Sequence, residues 1–248
     1  MLFYALLSEV LVEFFATRGN LRILLALCFR GLKGDLAMKS IYGLSIPTAS
    51  EELLDPTRLA LVVYDMQVGI RSQIGDGDRV VAAVRRVLGA ARKAGVRTIF
   101  TRHMSLPPEL MGVMSFRTAM AWQRKSDPSE IKPWFLRDTA GFAIVPELQP
   151  QPSEAVFDKI AMSAFEGTPL AVTLRDCGVL AVAFVGIALE VGIDPSARHA
   201  ADLGFVPIIV ADACGYGDAK AAQRSLEALR FAGDTVVMEE ATFIAGLG

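Results

Sequence analysis

Two short segments contain almost nothing that can face water. Leu59–Tyr64 reads Leu-Ala-Leu-Val-Val-Tyr, and Val179–Val185 is apolar at every position. An unbroken apolar run of this length, rich in β-branched residues, suits a strand covered on both faces rather than one with a wet side. Between such runs lie stretches of helical period. In Asp76–Ala94, residues Val80, Val81, Val84, Val87, Leu88 and Ala91 recur at three-to-four spacing, and Gly95 stands where a left-handed cap would stop the helix. The spacing predicts further strands over Arg97–Thr101, Val156–Ile160, Phe205–Val210 and Thr235–Glu239. It predicts helices from Thr168 to about Cys177, from Pro195 to Leu203 and over Asp218–Ala232, with Gly178 and Gly204 as stops after the first two.

Strands separated by helices of this length imply an α/β fold: a Rossmann-like three-layer α/β/α arrangement with a mostly parallel sheet of about six strands. Right-handed crossovers then collect the loops after the strand carboxyl ends on one edge, where ligands bind. Ser105–Glu147 breaks the rhythm. It carries several prolines and both tryptophans, Trp122 and Trp134, and reads as an irregular insertion over the site.

Residues 1–37 read differently from the rest. Leu2–Val12 and Ile23–Phe29 are apolar but broken or flanked by Glu9, Glu13, Arg18 and Arg22, and neither is long enough to span a membrane. Two expectations stand side by side: a helical N-terminal extension preceding a domain over 38–248, or an upstream stretch before a true start at Met38.

Composition narrows the function class. With 52% hydrophobic and 21% charged residues the chain can bury a substantial core. A formal charge of −2 with no concentrated basic block argues against nucleic acid as a partner. Three scattered cysteines, Cys28, Cys177 and Cys214, form no disulfide framework and fit a reducing, cytoplasmic setting. Neither CxxC nor HExxH spacing occurs, and only His103 and His199 are present, so no metal and no cofactor is expected.

Three pieces of sequence fall at carboxyl ends of predicted strands. In Tyr64-Asp65-Met66-Gln67, a carboxylate directly after a buried strand is poorly solvated, which suits it to hold a proton for general-acid work. Taken alone it is more often a capping or loop aspartate. Lys159 closes the strand before Ser163-Ala164-Phe165-Glu166-Gly167-Thr168-Pro169-Leu170, where it can neutralise a carboxylate or an anionic substrate group, or simply extend into solvent. The turn Gly186–Gly192 opens a helix whose backbone N–H groups can form an oxyanion hole.

In this order, from about Arg58 to the end and including Val210-Ala211-Asp212-Ala213, these motifs resemble the isochorismatase-like hydrolases, a superfamily that includes nicotinamidases and N-carbamoylsarcosine amidases. The resemblance implies a triad acid at Asp65, a lysine at Lys159 and a nucleophile position at Gly192, where most members carry cysteine. Glycine has no side chain, so thiol catalysis is excluded at that position. The resemblance also implies a cis peptide at Ile187–Ala188, with the N–H groups of Ala188 and Gly192 facing a substrate oxygen. Isochorismatases proper resemble this chain in carrying glycine there, and they cleave a vinyl ether without a covalent intermediate.

The leading expectation is therefore a hydrolase of a small molecule that uses Asp65 as general acid, on a vinyl ether or a related C–O or C–N bond. The alternative is an inactive member kept for small-molecule binding or assembly. The resemblance also suggests a homodimer or larger homo-oligomer. Candidate substrate contacts are Gln67, Arg102, His103, Arg117 and Trp134. The loop after the second strand, Thr101-Arg102-His103-Met104, lacks the Asp/His cluster that nicotinamidases use for a metal. Glu190 is expected to support the turn, His199 to pack, and Cys214 to be a buried, inert thiol.

Overall fold

The computed structural model describes residues 39–248; the expected N-terminal extension, 1–37, lies outside the described residues. Two compact units divide at Ala49 and Ser50. In the first, β1 (Lys39–Ile41) pairs antiparallel with β2 (Leu44–Ile46). The two turn residues, Tyr42 and Gly43, both have positive φ, at 51° and 78°, which is the two-residue turn whose twist matches a hairpin.

The second unit carries the predicted sheet. Its strands are β3 (Leu59–Tyr64), β4 (Arg97–His103), β5 (Ala155–Lys159), β6 (Ala181–Ile187), β7 (Val206–Gly215) and β8 (Val236–Met238). They stand in the order β5-β4-β3-β6-β7-β8, every neighbouring pair parallel. The order reverses between β3 and β6, so the crevice at their carboxyl ends is the topological switch point of the sheet. Every residue of β3 and of β6 is buried, as their unbroken apolar sequences require.

The helices are α1 (Val68–Arg71), α2 (Gly77–Ala94), α3 (Val113–Gln123), α4 (Leu170–Asp176), α5 (Asp194–Asp202), α6 (Ala219–Ala232) and α7 (Glu240–Gly246). Because strand side chains alternate, β3 feeds two cores. Leu59, Leu61 and Val63 pack with Val80, Val84 and Leu88 of α2 and Phe243 of α7. Ala60, Val62 and Tyr64 pack with Leu170 and Leu174 of α4, Ala197 and Ala200 of α5, and Leu229 of α6. The three-layer expectation holds, and Tyr64 is assigned by period to the α5 side.

The structure corrects the insertion. Residues 105–147 contain the eleven-residue helix α3 and four short 3-10 turns, at Pro108–Leu110, Pro128–Glu130, Ala140–Phe142 and Pro146–Leu148. No residue of α3 is buried, so no apolar stripe marks it in the sequence. Helix α7 was also not expected. It is held by the fully buried Phe243 and by Glu240, which pairs with Arg86 and donates its backbone N–H to Asp212. Among the described residues no helix is long and apolar enough to cross a membrane.

Candidate active site

Asp65 follows the last residue of β3 and takes a left-handed conformation, φ 46°, which turns its side chain back across the sheet edge. Non-glycine residues rarely sit there, and aspartate is among those that tolerate it. The carboxylate is only 3% exposed and both of its oxygens accept hydrogen bonds. Thr101 Oγ1 donates to Oδ1 at 2.6 Å, and Lys159 Nζ donates to Oδ2 at 2.7 Å. Thr101 in turn accepts the Asp65 backbone N–H at 3.2 Å, which fixes the direction of the hydroxyl proton. Thr101 was given no role in the sequence. Its signal was a hydroxyl at the end of an apolar strand, fully buried beside β3.

Lys159 closes β5 as expected, with its side chain wholly buried. Its ammonium has three acceptors: Asp65, the Tyr64 hydroxyl at 2.8 Å and the Ala161 carbonyl at 3.1 Å. A buried lysine stays charged only with such partners. Nζ also lies 4.3 Å from the centroid of the Tyr64 ring. The Tyr64 hydroxyl donates to the Met162 carbonyl through a very short bond. Burial, followed by the charge of Asp65, pushes the phenol well above its ordinary pKa, so it remains a neutral donor.

Gly192 stands opposite. The Ile187–Ala188 peptide is cis, as the resemblance implied. The chain then runs through one π-helical turn, Leu189–Ile193, into α5, where Pro195 occupies the first turn. A Cβ built on Gly192 would fall 2.6 Å from Cε1 of Tyr64 and nearer still to its Cζ and hydroxyl. The tyrosine ring thus fills the space that a side chain at 192 would need. Gly186 has its own reason to be glycine: φ is 123°, and a Cβ would press on the backbone of Tyr64.

One part of the turn differs from expectation. The Gly192 N–H is taken up by the Ala188 carbonyl at 3.0 Å, and the Ile193 N–H donates to the same carbonyl at 3.1 Å, the bond that closes the π turn. Glu190 supports a neighbouring turn: its Oε1 accepts from the backbone N–H of Gly217 at 2.7 Å and of Asp218 at 3.0 Å. Ser196 secures the other side, donating to the Gly192 carbonyl at 2.5 Å and accepting from the Ala164 N–H at 2.9 Å. His199 packs, with Nδ1 2.9 Å from Ser163 Oγ and its ring against Phe165. Cys214 is buried, and burial pushes its thiol far up, which makes it inert as a nucleophile.

The expected substrate contacts divide into two groups. Gln67 is fully buried and belongs to the frame: its Nε2 donates to the carbonyls of His103 and Phe142 at 3.0 and 3.1 Å, and its Oε1 accepts from the His103 N–H at 2.6 Å. Arg102 is ion-paired with Asp158 at 2.7 Å and lies over the Phe142 ring, so it braces β4 against β5. Arg117 is exposed on α3. His103 and Trp134, by contrast, line one cavity of about 410 Å³ formed between α3, the residues after β4 and the residues after β5. Its floor is Ile160–Met162, whose Ala161 and Met162 carbonyls hold Lys159 and Tyr64 on the other side. Among the described residues no group of three or more His, Cys, Asp or Glu is placed to hold a metal.

Comparison with known proteins agrees with this architecture. The family model described as the isochorismatase domain matches residues 59–241. A ureidoacrylate amidohydrolase of Rhizobium rhizogenes is 29% identical over 185 residues, covering 68% of this chain and 75% of that protein. The crystal structure of a cysteine hydrolase from Pseudomonas syringae pv. phaseolicola superposes with a TM-score of 0.68 at 22% identity, over 77% of this chain and 93% of that one. An isochorismatase family protein of Burkholderia thailandensis gives a TM-score of 0.64 at 26% identity, over 77% of this chain and 96% of that one.

Proposed function

The chain belongs to the isochorismatase family, a family of hydrolases, and from that premise we propose that it hydrolyses a small molecule with Asp65 and water, without a covalent thiol intermediate. The observation that carries this reading is the pairing of a buried Asp65–Lys159 couple with a Gly192 whose side-chain space is taken by Tyr64. The Asp65–Lys159 ion pair and the lack of room for a side chain at 192 both support this reading.

For the direction of proton transfer we infer a base-first order in place of the general-acid order expected from the sequence. Both Asp65 oxygens accept from donors in the resting site, so the group is poised to take a proton rather than to give one. In the step that follows, a water loses its proton to Asp65 as its oxygen bonds to the carbonyl carbon, and the carbonyl π pair moves to oxygen. When the tetrahedral centre collapses, the protonated Asp65 returns that proton to the departing nitrogen, giving an acid and an amine. Lys159 holds Asp65 in place through its 2.7 Å hydrogen bond and lies close enough to offset the developing anion. An amide or ureide bond suits this base-first order better than a vinyl ether, whose cleavage begins with protonation. The likeness to a ureidoacrylate amidohydrolase supports the same bond class.

A second reading, binding without turnover, has one observation in its favour: the cavity wall contains neither Asp65 nor Lys159. One experiment separates the two. Turnover of a panel of small amides and ureides is measured for the wild type and Asp65→Asn, with intact-mass spectra taken during turnover. The proposal expects activity that drops by roughly 10²–10⁴ in Asp65→Asn and no covalent adduct in either spectrum. Equal rates in both proteins, or an acylated chain, would contradict it.

A further inference from the structure

The cavity beneath α3 has a property that its position at the sheet edge does not require. Seventeen residues line it, and none is Asp, Glu, Lys or Arg. Four are methionines, among them Met114 and Met162, and Trp122, Trp134 and Phe135 supply aromatic wall. Its volume, about 410 Å³, lies within the range of small-ligand sites. Methionine and tryptophan give such a cavity a soft, polarizable wall that adapts to apolar shapes.

Charge is kept away from this space by pairings already made. Lys159 beneath the floor is committed to three acceptors. Arg137 reaches Met104, with its guanidinium 3.6 Å from the sulfur, but Asp158 holds it at 3.1 Å and also holds Arg102 at 2.7 Å. Ser105, Ser115, Thr118 and Gln123 add uncharged polar groups to the wall, and one buried group in it lacks a partner: Nδ1 of His103 makes no hydrogen bond. Burial and the charge of Lys159 lower the His103 pKa to about 4, so the ring is neutral near pH 7 and able to make one uncharged hydrogen bond.

We infer that this cavity selects an uncharged, predominantly apolar small molecule carrying one hydrogen-bonding group for His103, and rejects the carboxylate of the same shape. The inference rests on the hydrolase reading in taking the cavity as the recognition half of that site. An ionised carboxylate entering here would lose its water without gaining a cation, a cost that an alcohol of the same skeleton avoids.

The chain's two tryptophans, Trp122 and Trp134, both line this cavity, so intrinsic emission reports on it directly. Two spectrally silent probes of one shape, 1-adamantanemethanol and 1-adamantanecarboxylate, are titrated into the full chain at about pH 7.5. Two proteins are compared: wild type and Ala119→Phe, which places a ring in the cavity from α3. The inference expects saturable binding of the alcohol, at least about tenfold tighter than the carboxylate. It expects loss of alcohol binding in Ala119→Phe. The inference is overturned if the carboxylate binds as tightly as the alcohol, or if Ala119→Phe leaves binding unchanged. It is also overturned if the emission follows protein concentration instead of probe, since a second copy would then cover the cavity. Selective binding in the wild type would stand even if no turnover were found, whereas turnover without alcohol binding would sink this inference and leave Asp65 chemistry intact.

Discussion

Two neighbouring regions on the same sheet edge are built on opposite principles. Around Asp65 every charge is matched: one carboxylate, one ammonium, a threonine hydroxyl and a phenol satisfy one another within 3.2 Å. Across Ala161 and Met162, the cavity under α3 is apolar, and its buried His103 Nδ1 has no partner. A closed network in a low-dielectric setting is rigid and intolerant of losing one member. A largely apolar cavity without charged groups in its wall tolerates change and suits a ligand. The contrast suggests a division of labour, with proton handling fixed by the polar region and recognition left to the apolar one.

The sharpest way to break this comparison is to remove one charge from the polar region. Lys159→Met strands Asp65 as an unpaired buried carboxylate and is expected to cost about 3–5 kcal/mol in urea unfolding. Asp65→Asn added to it should restore most of that loss. If Lys159→Met is nearly neutral, the pair is not the closed unit described here.

Filling the glycine comes next. Gly192→Ala places a methyl group in the Tyr64 ring and is expected to cost about 1–3 kcal/mol. In a Tyr64→Val background the same change should cost close to nothing, giving a coupling energy on the order of 1–2 kcal/mol in a double-mutant cycle. Additive costs would show that Tyr64 and Gly192 do not share that space.

The apolar region should reveal itself through pH. His103 has a folded pKa of about 4 against an ordinary 6.5, a depression caused first by burial. Between those values the unfolded chain binds a proton that the folded chain refuses, so stability is full above about pH 6.5, falls as pH drops, and levels off below about 4. The full drop is about 3 kcal/mol. His103→Gln should flatten it, as read from urea midpoints at about pH 7 and 4.5; equal slopes in both proteins would contradict the assignment.

Smallest is Tyr64→Phe, which keeps the ring over Lys159 and removes only the hydroxyl. A loss of about 1–2 kcal/mol is expected, since the Met162 carbonyl and Lys159 each lose a partner. A much larger loss would mean that the phenol, rather than the Asp65–Lys159 pair, organises the polar region.

The same contrast explains what was legible in the sequence. The sheet was readable because β3 and β6 are buried on both faces, leaving unbroken apolar runs, and α2 because its buried stripe has helical period. Asp65 and Lys159 are visible as charged residues at the carboxyl ends of apolar strands, whereas Gly192 is singled out only by the resemblance of its segment to the isochorismatase-like motif. The extent of β7 was not readable: it continues past Val210 to Gly215 through a register break against β6 that no local residue announces. Helix α3 was hidden because it packs no buried stripe. The role of Tyr64 was hidden for a different reason. Strand period assigns it to the α5 face, but its meeting with Gly192 joins residues 128 positions apart, at the point where β3 and the turn after β6 converge. Gln67 was misjudged because a glutamine after a strand looks available, whereas here its amide ties β4 to the insertion.

The central claim is that hydrolysis here depends on a carboxylate and not on a thiol. The chain has three cysteines, so a variant carrying Cys28→Ser, Cys177→Ser and Cys214→Ala contains no thiol at all. Its turnover on the best substrate of the amide and ureide panel, measured beside Asp65→Asn, tests the claim most directly. The account predicts that the cysteine-free protein keeps its rate within a few fold while Asp65→Asn loses it. A folded cysteine-free protein without activity, or an Asp65→Asn protein with full activity, would contradict the account.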